Sequence, residues 1–155
     1  MKILSVPNKD FFSCLTEMLK ENEEVTFAVK GHSMYPFLRN EKDRVAVRKC
    51  CPETLRRGDV ILFLYKDNYI LHRIVRRLPV SSDGKIRFLM RGDGNVRGEE
   101  IADSEKIYAI MTKRITPSGK EWRCSSFSWR LCSSAWSFVS PLRRVLLAII
   151  RRVCR

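Results

Sequence analysis

Residues 25–36 read VTFAVKGHSMYP, and this stretch governs the interpretation of the whole chain. The apolar run at 25–29 has the composition of a β-strand, and a short turn bounded by glycine and proline follows it. The turn places Ser33 just beyond the end of that strand. A strand that delivers a serine into a tight turn is a common way to present a nucleophile. The pattern is short, so an ordinary turn serine is the alternative until the other segments are considered.

Five further segments rich in Val, Ile, Leu, Phe and Tyr predict strands. They are residues 44–48, 60–65, 69–76, 85–90 and 107–113. The turn signals Lys66-Asp67-Asn68 and Ser82-Asp83-Gly84 are each expected to close a hairpin. Many short strands joined by tight turns indicate a mainly β, antiparallel fold that forms a partly open barrel.

A helix is expected before the first strand and a separate tail after the last. Apolar residues at 11, 12, 15, 18 and 19 have helical spacing, with Asn8 or Asp10 as the N-cap. The chain therefore divides into three parts, within the length of one ordinary domain. These are an N-terminal helical lead (1–24), a β domain (25–115) and a basic tail (116–155).

Charge separates the tail from the rest of the chain. The 155 residues carry a net charge of +13, and residues 113–155 contribute +9 of it, with ten basic residues against Glu121 alone. Residues 116–140 are rich in serine and aromatic residues and are interpreted as a loosely ordered linker. Ser140-Pro141 then provides an N-cap and a first-turn proline for a last helix, 141–153.

This last helix is expected to be amphipathic, with arginines opposite an apolar face. Such a helix suits an anionic membrane surface, while packing of the apolar face against the body is the alternative. Nucleic acid is not expected as a partner, because it would leave the apolar face unexplained. The apolar face would consist of Leu142, Val145, Leu146, Ile149, Ile150 and Val153, and the cationic face of Arg143, Arg144, Arg151 and Arg152.

Cysteine and histidine placement predicts neither a metal nor another cofactor. None of the six cysteines forms a Cys-x-x-Cys pair, and neither His32 nor His72 lies beside one. The start of the chain has no apolar run long enough for a signal peptide, and no stretch approaches the ~20 apolar residues of a membrane span. These features predict a cytoplasmic protein, either free or peripheral at the inner face of the membrane. The cysteines are at positions 14, 50, 51, 124, 132 and 154.

Four segments, in chain order, contain the candidate catalytic residues. They are Gly-His-Ser-Met-Tyr-Pro (31–36), Arg-Gly-Asp-Val-Ile-Leu-Phe (57–63), Leu-His-Arg-Ile-Val (71–75) and Arg-Gly-Asp-Gly-Asn (91–95). Together they resemble the superfamily of serine peptidases that contains the type I signal peptidases and the self-cleaving repressors. The resemblance covers roughly residues 25–113 and implies the β fold of those peptidases.

The resemblance implies a role for each matching residue. Ser33 matches the nucleophile and His72 the general base, as in the histidine-using branch of the signal peptidases, where most bacterial enzymes have lysine. A neutral imidazole can accept a hydroxyl proton near neutral pH without heavy desolvation. The carboxylate that orients it is either Asp93, in the Gly-Asp-x-Asn motif, or Glu99, where Gly98-Glu99-Glu100 replaces the acidic pair of that branch.

The implied activity is that of a serine endopeptidase acting on an extended peptide. The peptide would add a strand beside residues 25–29, near Phe27 and Val29, with Met34 and Pro36 lining the cleft. A catalytically silent peptide-binding or regulatory module of the same fold is the alternative. A DNA-linked regulator is not expected, because the ~24 residues before the first strand are too few for a helix-turn-helix domain.

Overall fold

The computed structural model describes residues 8–21 and 24–153. Its main elements are eight strands and three α-helices, so the predicted mainly β, antiparallel class is confirmed. The helices are α1 (Asn8–Glu21), α2 (Phe127–Phe138) and α3 (Arg143–Val153). The strands are β1 (Val25–Ala28), β2 (Arg44–Arg48), β3 (Val60–Tyr65), β4 (Asn68–Arg77), β5 (Arg87–Arg91), β6 (Glu100–Asp103), β7 (Ile107–Ile115) and β8 (Glu121–Arg123).

The strands form one open antiparallel sheet in the order β1-β2-β7-β3-β4-β5-β6, with β8 paired to the end of β7. The two hairpins expected from turn signals are present, β3–β4 and β4–β5. The first turns at Lys66 and Asp67, whose positive φ angles of 45° and 61° are those of a tight hairpin turn. Within the described residues β1 and β6 are the two edges of the sheet.

Apolar clusters pack on both faces of this sheet. Strand β3 shows this most clearly, since Val60 and Leu62 enter one cluster while Ile61 and Phe63 enter the other. Helix α1 closes the first cluster, and its Phe12 stacks on Tyr69 of β4 with the ring centroids 4.2 Å apart. A sheet covered on both faces gives the loops at its rim a rigid support.

The prediction of a loosely ordered linker over residues 116–140 is wrong. Strand β8 pairs with β7, and α2 begins at Phe127 with the Ser126 hydroxyl accepting a hydrogen bond from the Trp129 backbone N–H. Trp129 is 2% exposed and packs edge-on against Phe37 of the body. Long-range aromatic packing orders this segment, although its local composition does not favour a helix.

The last helix lies where it was predicted, but its apolar face is divided. Residues 140–142 form a 3₁₀ turn rather than the first α-helical turn. Leu147 is buried and Leu146 and Ile150 are half-buried, whereas a second apolar row is exposed. That row is Leu142, Val145, Ile149 and Val153.

None of the helices among the described residues has the length and apolar character needed to cross a membrane.

Candidate active site

The turn that carries Ser33, residues 31–36 (the serine turn), is supported by buried side chains. Met34 and Leu38, at 3% and 0% exposure, are anchored in the core, and the Leu38 N–H donates to the Met34 carbonyl at 2.9 Å. The Gly31 N–H donates to Asn40 Oδ1 at 2.7 Å, with the Gly31 backbone at φ 98°. Ser33 is left half-exposed at the rim of the sheet.

A second turn, residues 92–95, packs directly on the serine turn. The Gly94 N–H donates to the Ser33 carbonyl at 2.8 Å. A Cβ added at Gly94 would lie 2.5 Å from the His32 carbonyl oxygen, and one added at Gly92 would clash with the Ser33 carbonyl oxygen. Both glycines of the Gly-Asp-Gly-Asn sequence are therefore needed because two backbones meet there.

His72 reaches the same point from β4. Arg73 is the register partner of Arg91, so one further antiparallel step places His72 opposite Gly92, which has no side chain. The position that a Cβ of residue 92 would take lies 3.0 Å from His72 Nε2. The Ser33 carbonyl and the His72 ring therefore both approach Gly92, in the turn of residues 92–95 (the glycine turn).

The carboxylate that contacts the imidazole is Glu100, at the start of β6. His72 Nδ1 and Glu100 Oε2 are 2.9 Å apart, and the His72 side chain is 5% exposed while that of Glu100 is 15% exposed. A carboxylate at Nδ1 favours the tautomer with the proton on that nitrogen, which leaves Nε2 as the acceptor. It also stabilises the imidazolium once Nε2 accepts a proton.

Within the described residues no hydrogen bond joins the Ser33 hydroxyl to the His72 ring, and the Ser33 backbone N–H has no protein partner. Hydrogen bonds between a nucleophile and its base are often completed only when substrate binds. A backbone N–H that is unpaired beside a nucleophile is a suitable donor to an oxyanion. The turn thus supplies both a hydroxyl and a donor at one residue.

Asp93 is not the partner of His72. Its carboxylate accepts two hydrogen bonds from Arg73, from Nε at 2.8 Å and from Nη2 at 2.6 Å, and both residues are buried. The Arg73 guanidinium also lies over the ring of Phe37, 4.7 Å from its centroid. Trp136 Nε1 donates to the Asp93 carbonyl at 3.0 Å. Asp93, predicted as one of two candidates for orienting the imidazole, instead fixes the turn of residues 92–95 in place.

Glu99, the second predicted orienting residue, is at the rim of the site and forms an ion pair with Arg91. The orienting role was predicted for Glu99 or Asp93 and not for Glu100, although Glu100 belongs to the same acidic pair. The register of β6 decides between them, because Glu100 is the residue paired with Met90 of β5. A shift of one residue would exchange which glutamate faces the imidazole.

The four residues assigned to substrate binding differ in accessibility. Val29 and Met34 are buried in the core at 7% and 3% exposure, so their side chains are not at the surface where a substrate would contact them as predicted. Phe27 is half-buried and packs edge-on against Phe11 of α1, with the centroids 5.5 Å apart. Pro36 is half-buried in the serine turn, where the Tyr35–Pro36 peptide bond is cis.

Two further polar residues of the motifs lie outside the Ser33–His72–Glu100 cluster. His32 is exposed in the turn, next to Ser33. Asp59 stabilises the turn before β3, where its Oδ2 accepts a hydrogen bond from the Arg56 N–H at 2.8 Å. Burial raises the pKa of the Asp59 carboxyl above its ordinary value, although the Arg56 N–H and nearby arginines oppose that effect.

Among the residues that the structure describes, no three His, Cys, Asp or Glu side chains are grouped so that they could hold a metal ion. The five cysteines in those ranges are free thiols, and Cys154 lies outside them. Among the described residues, the groups at the site that could take part in a reaction are therefore the Ser33 hydroxyl, the His72 imidazole and the Glu100 carboxylate.

No protein-family model matches the chain, and no curated protein is significantly similar to it.

Proposed function

We propose that this protein is a serine endopeptidase of the signal peptidase type, in which Ser33, His72 and Glu100 act as nucleophile, base and orienting carboxylate. The observation that carries the proposal is the convergence at Gly92. The Ser33 backbone and His72 Nε2 both approach that residue, and Glu100 holds the opposite side of the ring at 2.9 Å. The four motifs that suggested the family occupy this one region of the fold.

The reaction proceeds through an acyl-enzyme. Ser33 Oγ attacks the carbonyl carbon of the peptide while its proton passes to His72 Nε2, and the new oxyanion accepts a hydrogen bond from the Ser33 N–H. The C–N bond then breaks as His72 gives the proton to the leaving amine. Water attacks the ester, His72 accepts a proton from it, and the proton returns to Ser33 as the acid product leaves.

The substrate binds in an extended form at the edge of the sheet. Strand β1 is an edge strand, and its end leads through residues 29–32 into the serine turn. A peptide added beside β1 gains main-chain hydrogen bonds and carries its carbonyl toward Ser33. Small side chains near the scissile bond are what the family resemblance implies.

Labelling with a serine-directed acylating probe tests the proposal. The full chain should acquire one acyl group at Ser33, and Ser33→Ala should lose it. His72→Ala should slow labelling by about 100-fold or more, the contribution expected of a general base. Labelling unaffected by either substitution would show that the protein is a silent peptide-binding module instead.

Helix α3 supplies a proposed location for this activity at an anionic membrane surface. Its exposed apolar row carries Val145 and Ile149, at 59% and 51% exposure, and Arg144, Arg151 and Arg152 are exposed on the same helix. Apolar side chains beside arginines match the acyl boundary and the negative headgroups of such a membrane.

Co-sedimentation with phosphatidylglycerol vesicles tests this location. The double variant Val145→Gln, Ile149→Gln should bind at least ten-fold more weakly than the unaltered protein. Val80→Gln, which changes an equally exposed apolar residue elsewhere on the surface, should bind normally. Equal binding by the two variants would remove the membrane proposal and leave the peptidase proposal intact.

A further inference from the structure

A cavity of about 220 Å³ lies on the Arg73 side of β4, next to the turn that carries Asp93. This volume is several times the ~30 Å³ that one water molecule occupies in the liquid. Its lining is strongly cationic, with four arginines and one carboxylate. These residues are Arg57, Arg73, Arg91 and Arg143, with Asp93.

Two of the four guanidinium groups are already neutralised by carboxylates. Arg73 forms the buried bidentate pair with Asp93, and Arg91 pairs with Glu99. Within the described ranges neither Arg57 nor Arg143 forms an ion pair. The cavity therefore presents two positive charges without matching carboxylates.

Of these two residues, Arg143 gives the stronger indication that an anion binds in the cavity. It is 5% exposed, and among the described residues its Nε is buried without a hydrogen-bond partner. Its Nη2 donates to the Trp136 carbonyl at 3.3 Å, and its guanidinium lies over the Trp136 ring, 5.5 Å from the centroid. Burial lowers the pKa of Arg143 from its ordinary value, and Arg91 and Arg73 lower it further against the opposing effect of Asp93. A buried cation without a counterion is costly, and a bound anion would remove that cost.

We propose that this cavity binds a phosphate group, held by Arg143 and Arg57. A phosphate carries close to two negative charges near neutral pH, which matches the two unpaired arginines better than a single carboxylate does. Guanidinium groups offer forked N–H donors that suit phosphate oxygens. The Ser137 hydroxyl in the lining already donates to the Ser133 carbonyl at 3.0 Å, so the arginines are the principal donors.

Calorimetric titration of the full chain with inorganic phosphate, at constant ionic strength set by chloride, tests the site. Saturable binding to one site is expected. Arg143→Gln should weaken binding at least ten-fold, while Arg144→Gln, which changes the exposed neighbour on the same helix, should remain within two-fold of the unaltered protein. Absence of saturable binding would overturn the proposal.

A second pair of variants tests the site even if Arg143→Gln does not fold. Arg57 is exposed, so Arg57→Gln should fold normally and still weaken phosphate binding several-fold. Its exposed neighbour Arg56 lies outside the lining of this cavity, so Arg56→Gln should bind as the unaltered protein does. Equal binding by Arg57→Gln and Arg56→Gln would contradict the assignment.

Phosphate could reach the cavity from a soluble molecule or from a lipid headgroup, and vesicles distinguish these sources. Soluble phosphate that competes with phosphatidic acid vesicles, whose headgroup is a phosphate monoester, assigns a headgroup to the cavity, while phosphate binding without competition assigns a soluble ligand. If Arg143→Gln does not differ from Arg144→Gln in the calorimetric or in the vesicle experiment, neither a soluble phosphate nor a headgroup is bound in this cavity. Ser33→Ala should bind phosphate normally, so this result is independent of the proposed peptidase activity.

Discussion

Gly92 is a residue at which one added carbon atom would disturb the candidate site. A Cβ there would clash with the Ser33 carbonyl oxygen and lie 3.0 Å from His72 Nε2. Gly92→Ala should therefore displace Ser33 and His72, the proposed nucleophile and base, relative to each other and slow acylation of Ser33 by about 100-fold. The measurement is the acylation rate together with the thermal midpoint.

Gly84→Ala is the control for that substitution. Gly84 has an open environment and φ 73°, so alanine strains the backbone there without touching the site. It should lower stability while leaving the acylation rate nearly unchanged. If both variants lost the same fraction of activity, general destabilisation would explain the effect of Gly92→Ala.

Thiol reactivity is a second property set residue by residue. Burial raises the pKa of Cys50 to about 11 and that of Cys124 to about 12, so neither carries appreciable thiolate near pH 7. Exposed Cys14, Cys51 and Cys132 should react with a maleimide well before them. Peptide mapping of a time course gives the order, and early modification of Cys124 would contradict the packing of the tail.

The nucleophile and base could be proposed from sequence because each stands in a short motif with a recognisable neighbour pattern. The orienting carboxylate could not be chosen in the same way. Glu99 and Glu100 are adjacent, and successive residues of a strand face opposite sides of a sheet. Only the pairing of Glu100 with Met90 decides which carboxylate faces His72.

At the scale of elements, helix α2 depends on one buried aromatic side chain. Trp129→Ala should destabilise the protein by about 3–5 kcal/mol, because it leaves a cavity beside Phe37 and Trp122. Phe127→Ala, in the same helix and 80% exposed, should change stability by no more than about 0.5 kcal/mol. Urea unfolding measures both, and equal effects would mean that α2 does not dock on the sheet.

Helix α2 could not be predicted from its sequence for a physical reason. Its serines have only moderate helix propensity, and its aromatic residues lack a continuous helical spacing. The helix is stabilised by tertiary contacts. The Ser133 hydroxyl accepts a hydrogen bond from Arg73 Nη1 at 2.9 Å, and Trp136 Nε1 donates one to the Asp93 carbonyl. Strands β3 and β4, by contrast, were apparent because apolar runs flank a tight turn.

At the scale of the whole molecule, a buried ion-pair network makes stability depend on pH. Burial alone would raise the pKa of the fully buried Asp43, but hydrogen bonds from Arg39 and the pair with Arg114 lower it below its ordinary 3.8. The stabilisation is present above the unfolded-state pKa and is lost as pH falls through the lower folded-state value. The advantage of the unaltered protein over Asp43→Asn should thus shrink between about pH 5 and pH 2.

Urea unfolding of the two proteins at a series of pH values measures that difference. An advantage that stayed constant across the acid range would contradict the lowered pKa. Asp83→Asn is the control, since Asp83 is at the surface and pairs with Arg87, where screening by solvent keeps the contribution small.

The central claim is that Ser33, His72 and Glu100 work as one unit, and site-resolved rates of Ser33 acylation test it most directly. Peptide-mapping mass spectrometry over a time course would compare the unaltered protein with His72→Ala, Glu100→Gln and Glu99→Gln. We predict slowing of about 100-fold or more for His72→Ala and Glu100→Gln, and less than about three-fold for Glu99→Gln. Equal slowing by the two glutamate variants, or acylation that does not depend on His72, would contradict the account.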